Sequence, residues 1–320
     1  MKKRVFITFV LLCAFLAPSI AAGAPAQAYI SSNGGTSFSV LGGNIVGEVG
    51  SSIAVAPNYA AGNGEVMIGT DTDVYIWGRG GVLNWAATGL AQATYDVAFS
   101  PNYPIDGTRV AVSTTGAAIQ ANTLVGSDAG WDATLTTPAP IAAVAAIASA
   151  DLAFPSDFNA SLPVARTFFV GIDVAGLDAA ADGVYRAVVG SAGATAQLRA
   201  SVSVQSIAYS GTTLAGTLFA GTVAAANVWR CDNPTAPVLT VAWTPNFGAP
   251  SGASNTYVAL ANDFASSNIV YAGTADAAAG ENSAFSVSND RGTYFYQTGL
   301  IDTVIAGIND MAFASATEIF

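Results

Sequence analysis

A five-residue shape returns along the whole chain and limits what the chain can become. It reads Ser52-Ile53-Ala54-Val55-Ala56, then Asp96-Val97-Ala98-Phe99-Ser100 and Asp151-Leu152-Ala153-Phe154-Pro155. It continues as Ser206-Ile207-Ala208-Tyr209-Ser210, Tyr257-Val258-Ala259-Leu260-Ala261 and Asp310-Met311-Ala312-Phe313-Ala314. The central alanines stand 44, 55, 55, 51 and 53 residues apart. Repetition at this period, carried by short strand-like runs, marks a β-propeller or a related array.

Each repeat holds further runs in a fixed order. A second motif follows the alanine motif, as in Met67-Ile68-Gly69-Thr70, Phe169-Val170-Gly171-Ile172, Phe219-Ala220-Gly221-Thr222 and Tyr271-Ala272-Gly273-Thr274. A third run includes Val74-Tyr75-Ile76-Trp77, Val184-Tyr185-Arg186-Ala187 and Val228-Trp229-Arg230-Cys231. A fourth includes Trp85 to Leu90 and Phe295 to Leu300. Four short strands per repeat, here A to D, predict a four-stranded blade. The A-to-B turns carry Asn58-Tyr59, Asn102-Tyr103, Asp157-Phe158 and Asp263-Phe264. There the Asx side chain is expected to bond its own backbone, with the aromatic ring folding back on the hairpin. Ile141 to Ala150 has helical spacing, but its place before the Ala153 motif allows one helical turn at most.

The fold class is therefore all-β, a propeller of four-stranded blades. With 52% apolar and 10% charged residues among 320, the chain can bury a large core as one domain. Residues 1–28 read as a signal peptide: Lys2, Lys3 and Arg4, an apolar run from Val5 to Leu16, then Ala26-Gln27-Ala28 as a cleavage site. Residues 29–320 form the propeller, secreted to the cell envelope or the medium, with no membrane span once the leader is cut. Cleavage removes three cations and takes the net charge from −11 to −14. Such a surface excludes nucleic acid and anionic lipid as partners and permits cations. Cys231 is the only cysteine after the leader, so no internal disulfide forms.

One turn is more specific. Val287-Ser288-Asn289-Asp290-Arg291-Gly292-Thr293-Tyr294-Phe295 resembles the Asp-box of BNR repeats, S-x-D-x-G-x-x-[FW]. Ile30-Ser31-Ser32-Asn33-Gly34-Gly35-Thr36-Ser37-Phe38 is similar, with Asn33 for the aspartate. Ser127-Asp128-Ala129-Gly130-Trp131 keeps a fragment. The resemblance is to secreted BNR/Asp-box and WD40/YVTN-like repeat proteins of the sialidase-like superfamily. It implies structural roles for Ser288, Asp290, Gly292 and Phe295, and for Ser31, Asn33, Gly35 and Phe38. The phase of the boxes starts the chain at a C strand. Six blades then result, the last closed by N-terminal and C-terminal strands together, unless the protein continues beyond Phe320.

Reactive chemistry is scarce. The chain has no histidine, and its two lysines lie in the leader, so His-based triads, His-ligated zinc and Schiff-base chemistry are excluded. A sialidase-like glycoside hydrolase needs three arginines around one site. Arg79, Arg109, Arg166, Arg186, Arg199, Arg230 and Arg291 follow no such motif, and Arg109, Arg166 and Arg291 read as surface residues. The favoured function is a non-enzymatic surface scaffold or binding module with a protein or glycan partner. The alternatives are the hydrolase and a partner-protein assembly factor. The B-to-C turns hold Asp71 and Asp73; Asp173, Asp178 and Asp182; and Asp276 and Glu281. Asp71, Asp73, Asp173 and Asp182 are the candidate calcium ligands, since Ca²⁺ takes several oxygens. The competing reading makes them solvated turn residues.

Overall fold

The computed structural model describes residues 25–320 except 31–36, 60–63, 79–80, 82, 127, 137–146, 175–179, 192–195, 224, 276–282, 302–307, 309–310, 312, 316–317 and 320. The chain starts with a strand pair, β1 (Ala26–Ile30) and β2 (Ser39–Ile45). The first sheet is β3 (Gly50–Val55), β4 (Val66–Thr70), β5 (Val74–Trp77) and β6 (Trp85–Ala87). The second is β7 (Ala93–Phe99), β8 (Arg109–Thr114), β9 (Ile119–Leu124) and β10 (Asp132–Thr136). The third is β11 (Ile147–Ala153), β12 (Thr167–Val174), β13 (Gly183–Val188) and β14 (Ala196–Ala200). The fourth is β15 (Val204–Gly211), β16 (Gly216–Thr222), β17 (Val228–Cys231) and β18 (Thr244–Pro245). The fifth is β19 (Thr256–Leu260), β20 (Val270–Thr274), β21 (Ser283–Ser288) and β22 (Tyr296–Ile301). A second pair, β23 (Phe313–Ser315) and β24 (Glu318–Ile319), ends it.

Each four-stranded sheet is an antiparallel meander in chain order, with its alanine-motif strand at one edge. This is the β-propeller expected from the repeat. One-turn helices α1 (Tyr103–Asp106) and α2 (Phe264–Ser267) fill two A-to-B turns. The helical spacing over 141–150 is overridden where it is described, because Ile147 to Ala150 pair with β12; residues 141–146 lie outside the described set.

The core is divided among the seams between neighbouring sheets. Val110 and Val112 of the second sheet pack with Phe168, Val170 and Tyr185 of the third. Phe169 and Val184 of the third meet Ile207 and Leu218 of the fourth. Phe219 of the fourth meets Val258 and Ala272 of the fifth. Strands packed on both faces read as continuous apolar runs, and β12 is buried from Phe168 to Val174.

The second-motif glycine has a steric cause. A Cβ on Gly69 would lie 2.9 Å from Thr94 Cγ2, and one on Gly171 2.7 Å from Val204 Cγ1. One on Gly221 would lie 2.0 Å from the Thr256 carbonyl oxygen. In each case the A strand of the next sheet presses against the B strand of the one before. Gly273 has the same relation to Met311 Sδ at 2.6 Å and Ile308 Cδ1 at 3.1 Å. The segment around Met311 thus lies against the fifth sheet as each A strand lies against its predecessor. At the other end, Ala26, Ala28, Leu41 and Ile45 pack on Val66 and Ile68 of the first sheet. The terminal pairs hold four strands, the number of one further blade.

Tryptophans of the D strands give the same phase. Trp243 Nε1 donates to Leu198 O on β14 at 3.0 Å, and Trp131 Nε1 to Thr88 Oγ1 after β6 at 3.0 Å. Trp85 Nε1 donates to Leu41 O on β2 at 2.9 Å. β2 therefore stands to the first sheet as a preceding D strand does. We propose that the two pairs complete one blade and close the ring.

Gly221→Ala should lower the urea midpoint by an amount equivalent to about 1–3 kcal/mol, because the methyl group must push the fourth and fifth sheets apart. Gly299→Ala is the control, with nothing within 4 Å of the added Cβ, and should stay within about 0.5 kcal/mol. Equal stability of the two variants would contradict the close-approach account.

Candidate functional site

The residue at the first position of the alanine motif ties one sheet to the next. Ser52 Oγ accepts from Val97 N at 2.9 Å and donates to Asp96 Oδ1 at 2.9 Å. Asp151 Oδ2 accepts from Ile207 N at 2.7 Å, and Ser206 Oγ from Val258 N at 2.7 Å. A register irregularity in β3, β7 and β15, just before this position, accompanies the ties. An extra residue in an edge strand twists it and re-aims its side chains.

These strands line a cavity of about 300 Å³ near the third, fourth and fifth sheets. Asp151, Ser206, Ala208, Tyr209, Tyr257 and Ala259 contribute to its wall. The motif alanines Ala208 and Ala259 are half-buried, and their small side chains leave this space. Tyr209 stacks on Phe169, 16° from parallel with centroids 5.1 Å apart. Burial first, then the charges of Asp157 and Cys231, push its phenol well above the ordinary range. It stays protonated at neutral pH, and its hydroxyl already donates to Thr212 O at 2.7 Å, so it serves neither as a base nor as a free donor. Gln205 Nε2 donates to Tyr257 Oη at 2.9 Å. The cavity can hold a small ligand through hydroxyl and apolar contacts. Among its named lining residues the carboxylate, Asp151, already accepts a backbone bond.

The proposed calcium ligands fall in two places. Asp71 and Asp73 belong to the first sheet, Asp173 and Asp182 to the third. Asp73 Oδ1 accepts from Val74 N, Leu90 N and Thr88 Oγ1 at 2.7, 3.0 and 3.1 Å, and its Oδ2 from Gly89 N at 3.2 Å. Asp182 accepts from Val174 N at 2.7 Å and Ser203 Oγ at 2.9 Å. Both clamp a B-to-C turn to the following D-to-A connection. Asp71 Oδ1 accepts from Val49 N at 2.8 Å. Burial raises the Asp173 carboxyl above its ordinary range; a hydrogen bond with Ser203 opposes this and the Asp182 charge adds to it. Among the described residues no three Cys, Asp or Glu side chains converge as a metal would need. Asp71, Asp73 and Asp182 thus accept from backbone N–H groups, and the four expected calcium ligands lie in two separate turns of the first and third sheets. Asp178, Asp276 and Glu281 lie outside the described residues.

The turn after β21 is a closed hydrogen-bonded unit. Ser288 Oγ donates to Asp290 Oδ1 at 2.7 Å and accepts from Gly292 N at 2.9 Å. Asp290 Oδ1 also accepts from Thr293 N at 3.1 Å and Tyr294 N at 3.0 Å. Arg291 and Gly292 take left-handed φ of 60° and 76°, and an added Cβ on Gly292 would lie 3.1 Å from the Phe219 ring. Phe295 is 8% exposed and packs with Phe219 and Phe264. Burial pushes the Asp290 pKa up, but bonds from Ser288 and from the Tyr294 and Thr293 amides outweigh it and hold the carboxyl below its ordinary value. Ser31, Asn33 and Gly35 lie outside the described residues. Phe38, expected to match Phe295, is 40% exposed.

Two further expectations change. Two of the four Asx residues of the A-to-B turns, Asn102 and Asp157, cross to the next sheet, and neither Asn102 nor Asp263 caps its helix. Asn102 Nδ2 donates to Phe158 O at 2.6 Å, and Asp157 Oδ1 accepts from Thr213 N at 2.7 Å. The neighbouring rings do fold inward, with Tyr103, Phe158 and Phe264 all buried. Arg109 is not a surface residue: it is 4% exposed and bonds Glu65 of the preceding turn at 2.6 Å, with Tyr103 Oη on the same carboxylate at 2.7 Å. Arg186 Nη1 donates to Pro234 O and Ala236 O at 3.1 and 2.7 Å, and Arg230 Nη1 to Arg291 O at 2.8 Å. Arg199 stacks over Trp229 at 3.9 Å, and Arg291 pairs with Asp232 at 3.0 Å. Arg230 joins Arg291 on the same carboxylate, with Arg230 Nε 3.2 Å from Asp232 Oδ2. Arg109, Arg186 and Arg199 are held elsewhere, so these five do not form a triad around one carboxylate. Arg79 lies outside the described residues.

The recurring Ser or Asp at the head of the alanine motif was the sequence signal for the inter-sheet ties, and so was the arginine shared by Val184-Tyr185-Arg186 and Val228-Trp229-Arg230. Backbone partners 45 to 61 residues away made neither role readable without coordinates.

No family model matches the chain, and no curated protein matches it. Among solved structures it is similar to a protein from Bacteroides fragilis assigned provisionally as a 6-phosphogluconolactonase, at 10% identity and a TM-score of 0.52 over 90% of this chain and 80% of that one. The Neurospora crassa Pan2 WD40 domain follows at 11% identity and 0.46, over 93% and 77%. A GH74 xyloglucanase from Xanthomonas campestris gives 15% identity and 0.49, over 78% of this chain. The chain spans 38% of that enzyme and 55% of a Niastella koreensis GH74 enzyme. At these identities the shared property is the propeller fold.

The Asp290 carboxyl titrates below its unfolded value of about 3.9, so its contribution is fully present above that pH and is lost as pH falls through the folded pKa. Asp290→Asn should lower the urea midpoint at pH 6, and the gap to the wild type should narrow as pH drops below about 4. A gap that stays constant from pH 6 to pH 3 would contradict the assigned role of the charge.

Proposed function

We propose that the chain is a secreted propeller that works without catalysis, as a surface scaffold or binding module. One observation carries this reading. Arg109, Arg186, Arg199, Arg230 and Arg291, and the carboxylates of Asp71, Asp73 and Asp182, are engaged in holding turns and seams, and the cavity presents mainly hydroxyl and apolar groups. Acid–base hydrolysis needs a positioned acid and base within reach of a substrate. The one carboxylate on the cavity wall, Asp151, serves as an acceptor for the next sheet.

Secretion rests on the leader-like first residues and on the acidic, lysine-free remainder. Among the described residues no helix is long and apolar enough to cross a membrane. The turn after β21 supports an Asp-box reading through Ser288, Asp290, Gly292 and Phe295. Cleavage after Ala28 leaves Tyr29 first. Yet Ala26 and Ala28 are 7% and 1% exposed, and Ala26 N donates to Glu48 O at 2.8 Å. Their burial favours a cut upstream of Ala26.

The test is to express the whole chain with its leader, separate washed envelopes from medium, and take the intact mass of the recovered protein. We expect recovery outside the cytoplasm, a mass that starts upstream of Ala26, and no release of fluorophore from sialoside or β-glucoside substrates. Cytoplasmic retention of the full-length mass would overturn the secretion reading, and turnover abolished by Asp151→Asn would overturn the non-catalytic one.

A further inference from the structure

The seam between the fourth and fifth sheets carries aromatic rings that the core does not use. Phe247 is 76% exposed, Tyr294 48% and Tyr296 61%. The planes of Phe247 and Tyr294 differ by 24° and their centroids lie 6.2 Å apart. At that separation the rings are offset and leave face area open. The backbone fixes them. Phe247 N and Gly248 N both donate to Thr293 O, at 2.8 and 3.1 Å, and Phe295 N donates to Gly248 O at 3.0 Å. Gly248 and Tyr294 form a parallel bridge, and a Cβ on Gly248 would lie 2.8 Å from Cδ1 of the tyrosine ring. Phe295 turns inward, so by strand alternation Tyr294 and Tyr296 share the outward side. Contiguous exposed apolar groups on a soluble protein mark an interaction site.

We propose that this platform binds neutral polysaccharide whose flat pyranose rings are joined through equatorial bonds. The C–H face of such a ring is apolar and weakly positive, and the face of an aromatic ring is negative. Phenolic hydroxyls of Tyr294 and Tyr296 donate to and accept from sugar hydroxyls at the ring edges. Charge selects against acidic glycans. The neighbouring cation, Arg291, is already held by Asp232 and Thr217, both at 3.0 Å, and the whole chain carries −11. Size selects against a folded partner. Three such rings bury at most about 150–250 Å² each, short of the ~800 Å² per side of a stable protein pair. Rings held by backbone bonds lose little freedom on binding, which favours a small, shallow site. The site rests on the seam and stands apart from the scaffold reading.

Cellohexaose and chitohexaose, titrated calorimetrically into the whole processed protein, test the proposal. At least one should bind saturably. Phe247→Ala should weaken that binding tenfold or more, equivalent to about 1.4 kcal/mol, at an unchanged melting temperature, while Phe247→Tyr should retain it. If Phe247→Ala melts early, Tyr296→Ala gives the same comparison. Absence of binding by both sugars at millimolar concentration overturns the proposal. So does wild-type affinity in the alanine variants. Concentration-dependent self-association that Phe247→Ala abolishes would assign the rings to a second copy of the chain instead.

Discussion

Every four-stranded sheet in this protein has an inner edge whose backbone N–H groups find no partner within the sheet. An open edge is a template for unwanted pairing and leaves donors unsatisfied. The chain answers by reaching sideways. Ser52, Asp151 and Ser206 accept from Val97, Ile207 and Val258 of the following sheet. The Val97 and Val258 side chains point into the seams, with both residues nearly buried, so loss of an acceptor would strand a donor away from water. A stranded buried donor costs about 1–3 kcal/mol.

The same logic repeats at larger radius. Asn102 and Asp157 cross between A-to-B turns, Arg186 and Arg230 cross to the carbonyls of the next C-to-D turn, and Trp85, Trp131 and Trp243 cross between D strands. The Glu65–Arg109 pair joins the first two sheets out of water, where removing one partner leaves a buried charge worth about 3–5 kcal/mol. Each tie links only neighbours, as does each core cluster. Charged side chains are few in this chain, and many serve geometry. That leaves the functional surface to what the frame does not consume: a small cavity among the inner strands and the exposed rings at one seam.

The repeat, the four-strand unit and the strand phase were legible because they depend on local period and on turn residues. Ala54, Ala98, Ala153, Ala208 and Ala259 all lie on edge strands, and the glycines of the second motif mark the close approach of the next sheet. What stayed hidden was long-range. Asx in a turn suits a local cap as well as a bridge, so Asn102 and Asp157 could not be told apart from ordinary turn residues. Asp73 and Asp182 matched the spacing of cation ligands, and the amides and hydroxyls that bond their oxygens lie close only after folding. Phe247 and Tyr294 belong to different repeats and meet only through the crossing at Gly248. The Ala-rich stretch before Ala153 had helical spacing, and pairing with β12 outweighed it where Ile147 to Ala150 are described.

The account stands or falls on the ties between inner strands. Native-state hydrogen exchange at the amides of Val97, Ile207 and Val258 addresses them directly, in the wild type and in Ser206→Ala. In the wild type all three protons should exchange only through global unfolding, with one shared free energy. In Ser206→Ala the Val258 proton should exchange by local opening, while Val97 and Ile207 keep the global value of the variant. Fast exchange at these amides in the wild type, or unchanged protection of Val258 in the variant, would contradict the claim that side chains of one sheet secure the edge of the next.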